Sequence, residues 1–345
     1  MSAALSVELL EHLEAREPPE ARGTPRDDVR LMVATRHDGR IVHARFRDFP
    51  RFMASGDLLV VNNSATIPAA LTALRTDGDE LELRLSTPAP DRVGDEWWIV
   101  ELRRGDDPFG RLAAGEVLAL PAGAVAEIVA PYAGARRLWL ARLELPEPLP
   151  SYLGRHGRPI RYSYVPAEWP LASYQNAFAI VPGSAEMPSA GRPLTAELVT
   201  CLVAHGVLVA PVTLHTGVSS PELGEPPYSE RFHVSSETAR LVNAVRTWGG
   251  RIVAVGTTVV RALETVARRD GYVEPREGWT DLVVTPERGL QVVDGLLSGW
   301  HEPQASHLEL LRAAAGLELL ERSYRAAAAE RYLWHEFGDV HLILP

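Results

Sequence analysis

Residues Ile252 to Glu264 constrain this chain more than any other stretch. Ile252-Val253-Ala254-Val255 has the length and apolarity of a buried strand. It meets a Gly256-Thr257-Thr258 corner, and a helix-period pattern of Val259, Ala262, Leu263 and Val266 follows at once. A strand turning into a helix across glycine predicts a layered α/β sheet with the corner at its carboxyl edge. Thr257 and Thr258 are good N-cap residues, and free amides at a helix start attract anions. Arg261, one turn in, is within reach of the same mouth. The corner therefore suits a carboxylate or phosphate; the alternative is a plain strand-to-helix connection with a threonine cap.

The rest of the chain sorts into two patterns. Arg30 to Phe46 reads as a hairpin turning at Asp38-Gly39, and Asp57 to Val61 as a strand. From Leu71 to Leu145, short alternating segments follow one another, among them Leu81/Leu83/Leu85, Trp97/Ile99 and Leu138/Leu140/Leu143. Such spacing predicts a small barrel or sandwich. After the Pro- and Tyr-rich passage Pro146 to Pro170, helix and strand alternate. Thr195 caps a helix that Gly206 ends, and Val207 to Leu214 reads as a strand in which Pro211 weakens a central placement. Glu237 to Trp248 is helical, Leu282-Val283-Val284 a strand, Ser306 to Glu330 one or two helices, and Val340 to Leu344 a closing strand. The expected organisation is a discontinuous α/β main domain, 1–70 with 147–345, carrying an inserted small all-β barrel-like domain, 71–146.

Composition removes several classes of chemistry. All 35 basic residues are arginine, so Schiff-base, pyridoxal-phosphate and P-loop lysine chemistries are excluded. No Gly-x-Gly-x-x-Gly follows a strand, which argues against a nicotinamide site or a standard methyltransferase cofactor loop. Cys201 with His205 and His301 with His307 are spaced pairs without a third ligand, so no metal is expected. Cys201 is the only cysteine, lies in an apolar helix pattern and reads as a buried structural thiol in a reducing cytoplasm. Met1 to Glu20 is acidic, without the basic start and apolar core of a secretory signal, and no apolar run is long enough to span a bilayer. The net charge of −10 works against phosphate attraction. Arg155, Arg158 and Arg161, interleaved with Tyr152, Tyr162 and Tyr164, form the candidate nucleic-acid face; a solvated loop is the alternative.

Several distinctive blocks follow one another along the chain, none of them an internal repeat: Gly56-Asp57-Leu58-Leu59-Val60-Val61-Asn62-Asn63-Ser64, Ile67-Pro68-Ala69, Pro150-Ser151-Tyr152, Tyr174-Gln175, Pro188-Ser189-Ala190-Gly191, Val212-Thr213-Leu214-His215-Thr216-Gly217, the Gly256 corner, Trp300-His301-Glu302-Pro303 and Phe337-Gly338-Asp339. Together they resemble the S-adenosylmethionine:tRNA ribosyltransferase-isomerases of queuosine biosynthesis, along most of the chain. That resemblance implies S-adenosylmethionine as a ribosyl donor and, as acceptor, the aminomethyl group of a 7-deazaguanine base at the tRNA wobble position. Adenine and methionine leave, and the ribose rearranges to an epoxycyclopentane. The positive sulfur acidifies the adjacent 5′ carbon, so a positioned base is needed there. His215 is the first candidate base and His301 the second, with Asp339 a cleft carboxylate or a turn former. Gly256, Thr257, Thr258, Arg261 and Glu264 are the expected cofactor-binding set. No metal, membrane or obligate protein partner is implied.

The departures from that pattern fall on charged and titratable positions. Where the family shows Asn-Asp-Thr-Arg, this chain has Asn62-Asn63-Ser64-Ala65, and Ile-Pro-Ala-Arg becomes Ile67-Pro68-Ala69-Ala70. Gly191-Arg192-Pro193-Leu194-Thr195 lacks a histidine, Glu225-Pro226-Pro227-Tyr228 replaces a histidine-rich segment, and Gln304 stands for a lysine. These losses raise the alternatives of a paralogue acting on another, small-molecule acceptor, or of an inactive binding protein on the same scaffold. The retained corner and both histidines argue against inactivity.

Overall fold

The computed structural model describes residues 13–132, 137–218, 228–301 and 307–345. Its larger sheet has nine strands in the order Arg276–Thr280, Glu230–Val234, Leu208–Leu214, Leu58–Asn62, Ile252–Val255, Gly295–Gly299, Val340–Leu344, Arg30–Thr35 and Ile41–Arg45. The four strands from Leu208–Leu214 to Gly295–Gly299 run parallel, so their carboxyl ends share one edge. Six helices occur among the described residues: α1 (Leu149–His156), α2 (Ala196–Ala204), α3 (Ser236–Thr247), α4 (Thr257–Val266), α5 (His307–Ala315) and α6 (Leu317–Ala329).

The layering follows from period-2 alternation in strands buried on both faces. Leu58, Val60, Ile252 and Ala254 pack with Val242 of α3, Val260 of α4, Leu311 of α5 and Tyr324 of α6. Their sequence neighbours Leu59, Val61, Val253 and Val255 pack on the other side with Leu198 and Leu202 of α2 and with Phe46 and Phe49. Each such fully buried side chain contributes roughly 2 kcal/mol. Thr195 caps α2 as expected, accepting from the Leu198 amide, and Ser235 caps α3 in the same way.

The second sheet is a barrel. Ala70–Leu74, Glu80–Pro88, Trp97–Arg104, Glu116–Ala119, Val125–Pro131 and Leu138–Glu144 are antiparallel. Pairing of Leu74 with Ala119 and of Leu138–Arg142 with Trp97–Glu101 closes the ring. Helix α1 packs against it, burying Tyr152 and Leu153 among the barrel's apolar residues.

Three expectations need correction. Pro211 sits in an unbroken inner strand, opposite Val61. Val212 faces Leu58–Asn62 through its carbonyl, so Pro211 faces the other side, where Glu230–Val234 pairs only from Thr213 onward. Its missing N–H therefore costs no ladder bond. Leu282-Val283-Val284 is not a strand; the neighbouring strands are Arg276–Thr280 and Gly295–Gly299, and Val283 is exposed. Cys201 is only half-buried, on a flank of α2, with its Sγ 3.6 Å from His205 Nδ1. Ser306 and the start of the preceding loop lie outside the described residues, as does most of the segment before Glu20. No described helix is long and apolar enough to cross a membrane.

One buried group makes the fold sensitive to acid. His341, in strand Val340–Leu344, is stacked on Trp300 with ring centroids 4.8 Å apart, and its Nε2 has no partner. Burial pushes its pKa down to about 3. The folded value lies below the unfolded one, so this stability is present above about pH 6.5 and is lost as the pH falls toward 3. His341→Phe keeps the stack and removes the proton site. Thermal melts should show the variant unchanged relative to the parent at pH 8 and more stable at pH 5, by up to about 1.4 kcal/mol per pH unit.

Candidate active site

A cavity of about 300 Å³ opens at the carboxyl edge of the parallel strands, between that edge and the barrel. Gly256–Thr258 and Ser298–His301 line it from the sheet, Ser86 and Thr87 from the barrel, and Tyr162, Tyr164, Glu186, His335 and Glu336 from the connecting segments. The two bodies approach closely at Gly217. A Cβ there would meet Ser86 Oγ at 2.7 Å, and Ser86 Oγ accepts the Val218 amide at 3.0 Å.

The corner is built differently from the expectation. Gly256, at φ 95° and ψ 154°, is the N-cap of α4, in a region essentially restricted to glycine. Thr257 and Thr258 are the first helical residues and do not cap with their side chains. Their amides, at the positive end of the helix dipole, face the cavity mouth without a backbone acceptor. Thr258 Oγ1 accepts from Asn62 Nδ2 at 3.3 Å.

Arg261 lines the cavity, yet its guanidinium is already engaged. It pairs with Glu230 and donates to the carbonyls of Tyr228 (3.2 Å), Thr280 (3.1 Å) and Leu282 (3.2 Å). Its role is to hold Glu230 and the strand ends; an incoming anion would have to break that set. Glu264 does not line this cavity. Its buried carboxylate pairs with Arg288 at 2.8 Å and accepts the amides of Gln291, Val292 and Val293. Asp339 likewise lies outside this lining and closes a turn. It is buried and accepts the Arg30 and Leu333 amides, each at 2.7 Å.

The two histidines part company. His215 ends its strand at the sheet edge, but its ring lies beneath the cavity wall, with Nδ1 2.8 Å from Ser64 Oγ. Ser64 Oγ is in turn 2.6 Å from Ser184 Oγ. Burial, and then the charge of Arg231, push His215 down to about 4, so it is neutral and weakly basic at physiological pH. His301 does line the cavity, with Nε2 3.0 Å from Ser298 Oγ and its carbonyl accepting from Tyr324 at 3.1 Å.

The candidate nucleic-acid face does not assemble as a stacking surface. Tyr152 is buried, its hydroxyl donating to the Pro121 carbonyl at 2.8 Å. Arg155 pairs with Glu147, Arg158 donates to Thr72 and lies 3.6 Å from Glu82, and Arg161 donates to the carbonyls of Val165 and Pro166. Tyr162 and Tyr164 turn inward instead, ring centroids 5.8 Å apart and nearly parallel, and Tyr164 stacks on His335 at 4.1 Å. The Tyr162 hydroxyl donates to Glu186 and that of Tyr164 to Glu336 at 2.6 Å. Burial and these carboxylates raise both phenols well above their ordinary value.

Sequence reasoning missed Glu186, His335 and Glu336. The available signals were the Tyr162-Ser163-Tyr164 alternation and the residues just before Phe337-Gly338-Asp339; neither says which carboxylate a tyrosine meets. Glu302, Pro303, Gln304 and Glu225 to Pro227 lie outside the described residues. No group of three or more His, Cys, Asp or Glu side chains among the described residues is arranged to hold a metal.

A profile of the family described as "Queuosine biosynthesis protein" matches residues 3–343. The chain is 39% identical over 360 residues to the S-adenosylmethionine:tRNA ribosyltransferase-isomerase of Symbiobacterium thermophilum, covering 98% of both chains. It is 36% identical over 352 residues to the protein of the same name from Thermus thermophilus, covering 98% of this chain and 100% of that one. The crystal structure of S-adenosylmethionine tRNA ribosyltransferase from Thermotoga maritima matches with a TM-score of 0.55 and 31% identity, covering 99% of each chain.

The structural reading of Glu264 has a direct consequence. Glu264→Ala leaves three amides and the Arg288 guanidinium without their carboxylate, and should cost about 3 kcal/mol of stability in a urea titration. A variant as stable as the parent would return Glu264 to the list of groups available for a ligand.

Proposed function

The chain belongs to the S-adenosylmethionine:tRNA ribosyltransferase-isomerase family of queuosine biosynthesis, and on that premise we propose that it catalyses this reaction itself. S-adenosylmethionine is the ribosyl donor and the 7-deazaguanine base at the tRNA wobble position the acceptor. The observation that carries the reading is the cavity, which sits at the carboxyl edge of parallel strands with the start of α4 opening into it. Unpaired helix-start amides suit the methionine carboxylate, and the cavity's size suits one nucleoside-sized ligand.

Within that reading the anion-binding group is the backbone of Thr257 and Thr258 rather than Arg261, whose donors serve Glu230 and three carbonyls. His301 is the histidine that meets the ligand, and His215 positions the strand ends through Ser64. The acceptor base enters from the barrel side, extruded from its stack, because the cavity is enclosed by two bodies. The main α/β body, 1–70 with 147–345, then supplies the donor site, and the barrel, 71–146, the wall the acceptor passes. Cytoplasmic tRNA is the substrate pool. The match over 98% of both chains favours tRNA over a small-molecule acceptor despite the lost arginine and histidine.

The test is release of adenine and methionine from S-adenosylmethionine, followed by chromatography with tRNA bearing the 7-aminomethyl-7-deazaguanine precursor, unmodified tRNA or no RNA. Release should require the precursor tRNA; binding without precursor-dependent release would move the assignment to a paralogue with another acceptor. A second outcome concerns the corner. Gly256→Ala forces alanine into a glycine-only backbone region, a strain of about 1–3 kcal/mol. It should raise KM for S-adenosylmethionine by about tenfold.

A further inference from the structure

Glu336 and Tyr164 form a hydrogen-bonded pair in the cavity wall. Glu336 lines the cavity, accepts from the Tyr164 hydroxyl at 2.6 Å and lies on the residue after His335, whose ring stacks under Tyr164. The neighbouring carboxylate Glu186 is held by Tyr162 in the same way. A carboxylate held by one phenol in a cavity wall is placed to exchange a proton with a ligand. His215 lies outside the lining and has its Nδ1 beside Ser64.

We propose that Glu336 is the base of this site, taking a proton from the carbon next to the sulfonium, with Tyr164 as its positioning residue. The proposal rests on the reading of the cavity as the S-adenosylmethionine site. In this step the C–H bond breaks, its electron pair stays on the carbon beside the positive sulfur, and the proton forms an O–H bond on Glu336. No oxidant, reductant or further reactant is involved.

The surroundings set the pH at which the base is ready. Burial, and to a lesser degree Glu186, raise Glu336 to about 7, while the hydrogen bond from Tyr164 and the charge of Arg192 pull the other way. Tyr174 also feels the charge of Glu336, Tyr162 sits on the far side of Tyr164, and His335, the preceding residue, lies 3.7 Å from Glu14. Burial pushes His335 down to about 4, so it is neutral where Glu336 titrates. A base must be ionised to act, so the rate should rise with pH through the neutral range and then level.

The experiment compares the parent, Glu336→Gln, Glu336→Asp and Tyr164→Phe by kcat and KM from pH 5.5 to 9, with S-adenosylmethionine binding by calorimetry. Glu336→Gln keeps an acceptor for Tyr164 and should lose kcat by about 10²–10⁴-fold and the pH limb with it. Binding should stay within about threefold, too little to account for that loss. Glu336→Asp should recover part of the rate. Tyr164→Phe removes a bond that favours the charged form and should move the limb to higher pH. A Gln variant within tenfold of the parent, still showing the limb, would overturn the assignment. If the parent binds S-adenosylmethionine but releases nothing with any tRNA, the acceptor reading fails. Glu336 is then judged by exchange of the 5′ hydrogens of S-adenosylmethionine with deuterated water. Exchange by the parent and none by Glu336→Gln supports the base; no exchange by the parent, or equal exchange by both, refutes it.

Discussion

The side-chain amide of Asn62 is the point on which the site's geometry depends. Its Nδ2 donates to the Leu214 carbonyl at 2.8 Å and to Thr258 Oγ1 at 3.3 Å, while its Oδ1 accepts the amides of Ser64 at 3.0 Å and Leu214 at 3.1 Å. One buried group thus ties the ends of two parallel strands to the first turn of α4. Donors and acceptor are all used, which is what makes a buried amide tolerable there. From Ser64 the connection continues to His215 and Ser184. Behind the cavity lining lies a hydrogen-bonded lattice centred on Asn62, which reaches the Gly256 corner through Thr258.

This arrangement also explains how the divergent block after Asn62 is accommodated. Asn63 accepts from Thr213 Oγ1 at 2.7 Å, a bond that an aspartate at that position would also make. Ser64 supplies the hydroxyl that His215 meets, which a threonine would supply equally. Ala65 is buried, so the guanidinium lost there has no successor in place. Two of the three substitutions therefore preserve the lattice; the first removes a negative charge but keeps its hydrogen bond, and the third removes a positive charge with nothing in its place. The hydrogen bonds of the motif are changed less than its charges.

What the sequence made legible was period and punctuation. The apolar strand, the glycine corner, the capped helices and the short alternating strands of the barrel all obey local rules, and all appear. Tyr152 shows the limit. Its motif lies in a short helix whose burial depends on a barrel closed by residues far away in the chain. Leu282-Val283-Val284 reads as strand by composition, yet the ladder positions beside it are occupied by Arg276–Thr280, whose Arg, Glu and Gly are weak strand formers. Arg261 and Glu264 lie on a helix recognised correctly. Their partners, Glu230 and Arg288, lie 31 and 24 residues away and leave no periodic trace. The site carboxylate Glu336 was illegible for the same reason, its partner Tyr164 being 172 residues distant.

The electrostatic design follows from a chain with arginine as its only strong base and a net charge of −10. Arg155, Arg158, Arg251, Arg261 and Arg288 are each paired with a carboxylate of the same chain, so much of the positive charge is spent internally. Long-range attraction of a polyanion is weak under those conditions. Recognition must then be short-ranged, through shape and through groups that are polar but uncharged. The cavity combines such groups with the carboxylates Glu186, Glu230 and Glu336. Burial holds His335 and the two phenols neutral at physiological pH, and Arg261 balances Glu230. A cationic sulfonium entering such a site meets carboxylates and aromatic faces, with little fixed positive charge to oppose it. An acidic protein is in this sense suited to a positively charged donor, and the anionic acceptor is left to be gripped where it reaches the cavity rather than drawn in from afar.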